Sequence, residues 1–460
     1  MRDPKWTIGP PLLTLALMLS ACGGTTPSPT AARYATPQAS GQGYPTAIAV
    51  APTSAPAATA APAPEAPAPE VPSGDASSAS APTPALYNPA APTPAPAREI
   101  MPQQQQQGTP LRAGEIDDNA NFDAYSAYMS GFGQRVDGNS SGVRFLDVSD
   151  RLILTVVDSA QLPVMDARVT VFDGQRQLFV GRTSAGGRTI LFPRALGAGE
   201  QGARLRVVVE KDAARSESDV RRGEIYPAPI GLDIGQQRGR QRLDVLFLLD
   251  ATGSMSDEIG RIQQTIVSIA DRISALDQRP ELRFALVNYR DRGDEYVTQV
   301  TDFTPDVAAF QRRLLEVRAD GGGDNPESLN EGLHQAVQGV NWADDALRLV
   351  VLVADAPPHM DYQGDYDYVQ EARVAAAKGV KIFPIAASNS DDRAEYVFRQ
   401  LAQQTLGSFI FLTYQPGESG GAPGDTTQMN VDPASFTVER LDDMVVNIVR
   451  RELAAQRQVS

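Results

Sequence analysis

The sequence predicts a doubly wound α/β fold with a mainly parallel sheet, preceded by a small β-sandwich and by a proline-rich stretch with no core of its own. Three observations carry this. From residue 242 onward, short apolar runs alternate with amphipathic helical stretches, the pattern of strand–helix–strand units. Between 151 and 210, apolar residues recur at every second position in short runs separated by turn residues, as in an antiparallel sandwich. Residues 25–110 hold 19 of the 35 prolines, mixed with Ala, Thr, Ser and Gln. Such a stretch buries too little apolar surface to offset the entropy lost on ordering.

The amino terminus reads as an address. Arg2 and Lys5 precede an apolar run over 7–19, which is too short to span a bilayer and has the length of a signal-peptide core. Leu19-Ser20-Ala21-Cys22 follows, with the only cysteine of the chain in last place. This segment resembles the lipobox of bacterial lipoproteins. The resemblance implies a signal peptide at 1–21, lipidation of Cys22, and an exported protein held by lipid to the cell membrane or outer membrane. Residues 22–114 are expected to be a disordered Pro/Ala/Thr-rich linker. Repeats such as Ala61-Pro62-Ala63-Pro64 favour extended polyproline conformations of about 3.1 Å per residue.

Residues 115–143 form a transition. Phe122, Tyr125, Tyr128 and Phe132 recur at near-helical spacing and predict a short helix whose aromatic stripe packs on a neighbouring domain. The sandwich is expected over 144–236, with strands at 152–157, 164–172, 177–182, 188–192 and 205–210. The segments 163–171 and 181–188, the latter with the turn Ala185-Gly186-Gly187, resemble the carboxypeptidase-regulatory-like family. That resemblance implies a fold only, and the unit reads as a spacer or interaction module.

The chemistry lies in 240–455. Leu243 to Leu249 is a continuous apolar run, hence a strand buried on both faces. Ile259, Ile262, Ile266, Ile269, Ile273 and Leu276 mark one face of the helix after it. Further strands are expected at 282–287, 347–354, 380–387 and 409–412. Helices fill 305–318, 326–340, 365–378, 391–404 and 436–453. In such sheets ligands bind beyond the carboxyl ends of the strands, and three loops there are acidic or hydroxyl-rich. They are Asp250-Ala251-Thr252-Gly253-Ser254, Gly321-Gly322-Gly323-Asp324-Asn325-Pro326-Glu327 and Ala354-Asp355-Ala356-Pro357-Pro358-His359. Carboxylates and hydroxyls converging on one sheet edge suit a hard divalent cation, Mg²⁺ or else Mn²⁺ or Ca²⁺. Glycine at 253 and 321–323 permits close backbone approach.

These motifs resemble the von Willebrand factor A domain with its metal-ion-dependent adhesion site. The family pattern is Asp-x-Ser-x-Ser, a Thr on a later loop and an Asp after a central strand. Asp250, Thr252 and Ser254 match the first part, Asp355 the last, and Asp324 stands where many members have Thr. The resemblance implies a metal site of Asp250, Thr252, Ser254, Asp324 and Asp355. The two hydroxyls would bind the ion directly, and Asp250 and Asp355 largely through waters. It also implies a protein ligand at that metal. With three ionised carboxylates around a divalent ion the cluster carries a net negative charge, so the partner is expected to offer a carbonyl, hydroxyl or basic group, unless the metal is purely structural in an envelope scaffold.

Other readings are weaker. Asp250-Ala251-Thr252-Gly253-Ser254 also resembles the Asp-Lys-Thr-Gly-Thr loop of enzymes that form an aspartyl phosphate. Lys378 and Lys381 could serve as the phosphate-binding Lys, but the acid/base Asp expected at 252 and a Gly-Asp-Gly-x-x-Asn-Asp loop are missing. A hydrolase built on Ser254, His359 and Asp355 lacks the Gly-x-Ser-x-Gly elbow, and His359, after two prolines, reads as a residue that satisfies backbone on a tight loop. The triple glycine belongs to no phosphate-binding pattern. The chain is therefore expected to be a binding protein and not an enzyme. Net charge of −15, from 56 acidic and 41 basic residues, argues against a nucleic-acid partner. One cysteine rules out an intrachain disulfide and a Cys-rich zinc site, and two histidines argue against a His-rich one.

Overall fold

The computed structural model describes residues 110–135, 142–200, 202–235, 241–388, 390–413 and 435–457. The expected signal peptide, Cys22 and the linker up to 109 lie outside the described residues.

The described chain opens with β1 (Arg112–Ile116) and α1 (Phe122–Arg135). Two small sheets follow, made of β2 (Leu152–Val157), β3 (Arg168–Asp173), β4 (Arg176–Arg182), β5 (Arg188–Leu191), β6 (Arg204–Lys211), β7 (Ala214–Arg221) and β8 (Ile230–Gly231). Their orders are β5-β2-β8 and β4-β3-β6-β7. Leu152, Leu154 and Val156 of β2 share one core with Val169, Val171, Leu205, Val207 and Val209 of β3 and β6. The alternation of these residues is the period-two pattern that places every second side chain on one sheet face. Strand β7 escapes the sequence reading because Ala-Arg-Ser-Glu-Ser-Asp-Val-Arg is polar on both faces. Its backbone pairing with β6 over eight residues holds it in place.

The larger layer contains β9 (Arg242–Asp250), α2 (Ile259–Ser274), β10 (Glu281–Tyr289), β11 (Thr298–Thr304), α3 (Val307–Glu316), α4 (Leu329–Gln338) and β12 (Ala346–Ala354). It continues through α5 (Tyr368–Ala377), β13 (Val380–Ala386), α6 (Asp392–Gln404), β14 (Phe409–Leu412), β15 (Val438–Arg440) and α7 (Leu441–Ala455). The sheet order is β11-β10-β9-β12-β13-β14-β1-β15. Strands β10, β9, β12, β13 and β14 run parallel, and β11 pairs antiparallel at one edge. Leu243, Val245, Phe247 and Leu249 of β9 enter the core beneath α2, α3 and α7. Leu246 and Leu248 point into the opposite core with α4, α5 and α6. The continuous apolar run of β9 thus serves two helical layers at once.

The fold departs from the sequence reading at the far edge. Residues 112–116, assigned to the end of the linker and the start of the transition, form β1 and pair antiparallel with β14 and β15. The 22–114 linker therefore ends before Arg112, and the large sheet draws on chain from both sides of the sandwich. Gly114 permits this pairing: a Cβ there would lie 2.7 Å from the rings of Phe411 and Phe436. The helix expected at 436–453 starts at Leu441 because Val438–Arg440 extends the sheet as β15. The aromatic stripe behaves as expected: Tyr125, Tyr128 and Phe132 are buried, and Phe132 packs on Tyr396 of α6 with ring centroids 4.0 Å apart.

All described residues belong to one compact unit, and the small sheets dock at the amino-terminal end of β12. Asp166 accepts from both terminal nitrogens of Arg348, at 2.9 and 3.3 Å, and from the backbone N–H of Asp345 at 3.0 Å. Lys211 reaches Asp345 as well. Among the described residues no helix is long and apolar enough to cross a membrane.

Candidate metal centre

Strand β9 is where the sheet order reverses. The chain moves outward from β9 to β10 and β11, then returns to the other side of β9 as β12. The loops leaving β9 and β12 diverge there and open a crevice at their carboxyl ends. Asp250 is the last residue of β9, and Asp355 directly follows β12.

The first loop is built around the Asp250 carboxylate. Its Oδ1 accepts from the backbone N–H of Thr252 at 3.0 Å and from the Thr252 hydroxyl at 2.6 Å. Its Oδ2 accepts from Tyr289 Oη at 3.1 Å. The Thr252 and Ser254 hydroxyl oxygens lie 3.2 Å apart, and Ser254 hydrogen-bonds to Asp355. The spacing of two residues brings both hydroxyls to one side, as the sequence implies. Asp250 and Thr252 are fully buried, whereas Ser254 is exposed, so the group opens to solvent on the Ser254 side. The glycine loop closes over it. Gly253 N–H donates to Gly321 O at 2.9 Å, and Gly322, at φ +66°, leaves room for Glu327 and Thr252 where a Cβ would sit 2.6 and 3.1 Å from them.

Glu327 thereby packs beside Thr252 as a third carboxylate near Asp250 and Asp355, the place where the sequence reading expects Asp324. Burial, and after it the neighbouring Asp355 charge, push the Asp250 carboxyl up to about 7. Burial and the charges of Asp250, Asp291 and Asp355 push Glu327 up to about 9. Asp355 is raised by burial too, against the hydrogen bond from Ser254. Asp355 Oδ1 and Glu327 Oε2 are buried and have no hydrogen-bond partner. Buried acceptors without donors are costly, and a divalent cation beside them would satisfy both and reverse the mutual repulsion. The residues present fit a hard ion: oxygen ligands only, with two hydroxyls among the carboxylates.

Asp324 itself is exposed and stands with Asp291 and His359. One ligand atom from each of the three lies within 4.8 Å of the others, an arrangement that could hold a divalent ion. No sequence pattern joins Asp291 to this loop, since it lies in the turn after β10. His359 hydrogen-bonds through Nδ1 to Asp361 at 2.8 Å and has Nε2 3.6 Å from Asp291 Oδ2. These partners differ from those a Ser254-His359-Asp355 triad would need.

The matched family agrees with this geometry: residues 244–414 fit the model described as von Willebrand factor A domain. That span runs from the third residue of β9 past the end of β14 and includes every residue of both acidic groups.

Residues 244–414 form a von Willebrand factor A domain.

Among curated proteins the chain is similar to the alpha-protein kinase vwkA of Dictyostelium discoideum, 30% identical over 123 residues, which is 26% of this chain and 20% of that protein. It is also similar to hemicentin-2 of Mus musculus, 26% identical over 169 residues, 37% of this chain and 3% of that protein. The chain thus spans a fifth or less of these relatives' lengths. Among solved structures, a von Willebrand factor type A protein from Catenulispora acidiphila overlaps 64% of this chain and 52% of its own, at 12% identity and a TM-score of 0.33.

The glycine loop of the A domain gives a direct test. Ala at 322 must adopt a positive φ, at about 1–2 kcal/mol, and its Cβ must displace Glu327 or Thr252. We expect Gly322→Ala to weaken Mn²⁺ or Mg²⁺ binding on the order of tenfold, about 1.4 kcal/mol. Gly323→Ala, where no atom lies within 4 Å, should leave it unchanged. Isothermal titration of both variants decides, and equal affinities would remove Glu327 from the site.

Proposed function

We propose that the chain is an exported, lipid-anchored binding protein whose A domain holds a divalent cation, Mg²⁺ in the first place, and engages a protein partner through it. Cys22 carries the lipid, and residues 22–109 set the reach of the folded part. Thr252 and Ser254 bind the ion directly, while Asp250, Asp355 and Glu327 surround it. The observation that carries this reading is the pair of buried, unpartnered carboxylate oxygens, Asp355 Oδ1 and Glu327 Oε2, at the switch point of the sheet.

Three ionised carboxylates around a divalent ion leave about one negative charge, so the partner presents a carbonyl, a hydroxyl or a basic group and not a further carboxylate. Exposed Ser254 marks the side from which it approaches. The role is binding and not catalysis: Asp250 is engaged by Thr252 and Tyr289 through both oxygens, which leaves it poorly placed as a nucleophile.

Thermal unfolding of the whole chain with Mg²⁺, Mn²⁺ or Ca²⁺ tests the metal. An ion bound only by the native state stabilises by about 2.7 kcal/mol at one hundred times its Kd. That gain should vanish in Thr252→Ala, which keeps the fold's packing and removes one ligand oxygen. No gain with any ion in the wild-type chain would sink the reading.

A further inference from the structure

The second acidic group differs from the first in chemistry. Asp291 is buried, and both of its oxygens are oriented: Ser328 Oγ donates to Oδ1 at 2.8 Å and Tyr362 Oη to Oδ2 at 2.7 Å. His359 is 3% exposed, and its ring is stacked on Tyr362 with centroids 3.9 Å apart and planes 13° from parallel. Its backbone is fixed as well, since its N–H donates to Glu327 O at 3.0 Å and its carbonyl accepts from Asn330 Nδ2 at 2.7 Å. The Asp361 carboxylate accepts from Nδ1 at 2.8 Å, which leaves Nε2 as the remaining ring nitrogen, 3.6 Å from Asp291 Oδ2. Yet Nε2, buried, has no hydrogen-bond partner.

The separation is informative. The 3.6 Å between His359 Nε2 and Asp291 Oδ2 is too long for a hydrogen bond. It is close to the edge of a tetrahedral zinc site, where ligands about 2.1 Å from the ion lie about 3.4 Å apart. Asp324 supplies the third ligand atom from the solvent side. A carboxylate behind the second ring nitrogen is the usual support of a metal-bound imidazole. Arg292, whose guanidinium lies over the Tyr362 ring, is already engaged by Glu331 at 3.1 Å and Asp365 at 2.8 Å.

We propose that Asp291, Asp324 and His359 form a second cation site, separate from that of Thr252 and Ser254, which takes a borderline transition metal of the zinc class with His359 Nε2 as its nitrogen ligand. An imidazole ligand favours such ions over Mg²⁺ and Ca²⁺, which prefer all-oxygen shells. Three protein ligands leave the fourth position open to water or to a donor group of a partner.

Competition between the whole chain and a zinc indicator, with Mg²⁺ in excess, tests this independently of the proposed function. We expect one Zn²⁺ that Mg²⁺ does not displace. His359→Gln and Asp324→Asn should each weaken it at least tenfold, and Asp361→Asn by about 10–100-fold as a supporting carboxylate. Thr252→Ala should leave it unchanged. Asp324 is exposed, so its variant keeps the fold, and circular dichroism checks His359→Gln. The chain has only two histidines, so ¹⁵N-histidine spectra should show one Nε2 resonance moving with Zn²⁺. Unchanged zinc affinity in both His359→Gln and Asp324→Asn, or its loss in Thr252→Ala, overturns the proposal. The latter outcome would place all ion binding at the first group.

Discussion

Replacing Arg348 by Met, or Asp166 by Asn, is expected to destabilise the chain by about 3–5 kcal/mol, because each leaves a buried charge without its main partner. Both side chains are nearly inaccessible, 5% and 4% exposed. Arg348 is held further by donation to Ala343 O at 2.9 Å and Lys378 O at 2.6 Å, so it cannot turn to solvent without giving up four contacts. Burial alone would push the Asp166 carboxyl up, but the hydrogen bonds and charge of Arg348 more than offset it and hold it below the ordinary range. Asn suits the test because Asp166 sits at φ +59°, a conformation that Asn shares with Asp at little cost. Arg182, 3.2 Å from Asp166 and 40% exposed, offers partial compensation when Arg348 is removed. It offers none to Arg348 when Asp166 is neutralised. The double variant should therefore lose less than the sum of the two. Denaturant unfolding measures all three, and a loss below about 1 kcal/mol in either single variant would show that the sandwich docks without this pair. Metal affinity should not change: Arg348 lies six residues before the end of β12, about 20 Å from the metal group.

The second large effect is a pH dependence of the metal-free chain. Asp250 and Glu327 have folded values of about 7 and about 9, against about 3.9 and 4.3 in an unfolded chain. At these two groups the folded state then binds more protons than the unfolded state between pH 4 and 9. Stability falls with rising pH wherever that holds. The contribution of these groups is complete near pH 4 and is lost as pH rises through 7 and then 9. Each tenfold difference in proton affinity is worth about 1.4 kcal/mol, so the total loss is on the order of several kcal/mol. A divalent ion replaces the protons, so its affinity rises over the same window. In thermal unfolding from pH 5 to 9, the melting temperature in chelator should fall, and the gap between chelator and Mg²⁺ should widen. Glu327→Gln removes the upper step, and its melting temperature in chelator should be flat between pH 8 and 9. A wild-type curve in chelator that rises or stays flat from pH 6 to 9 contradicts the placement of these carboxylates.

What the sequence determined by itself is what local pattern can fix. The apolar run of β9 ends at Asp250, and the turn after it places Thr252 and Ser254 two residues apart on one side. Asp355 follows the other long apolar strand, β12. Because the strands of such a sheet run parallel, their carboxyl ends lie along one edge, where ligands bind, so these four residues can be brought together from the sequence alone. The small sheets were legible for the same reason, except at β7, which is polar on both faces and held by pairing, and at β8, whose two residues are too few to show a period.

The tertiary structure decided which acid of the glycine loop joins which group. Asp324 and Glu327 are three residues apart, and no periodicity separates them. Gly321 and Gly322 at positive φ, and the Gly253 N–H bond to Gly321 O, turn the loop so that Glu327 is buried against Thr252 and Asp324 faces outward to Asp291 and His359. The same holds for β1, whose five residues carry no pattern stronger than their surroundings and become a strand because β14 and β15 offer an edge on each side. A residue's partner across a loop or a sheet edge is a non-local property, set by packing between segments tens to hundreds of positions apart. The chain encodes it only through the fold as a whole.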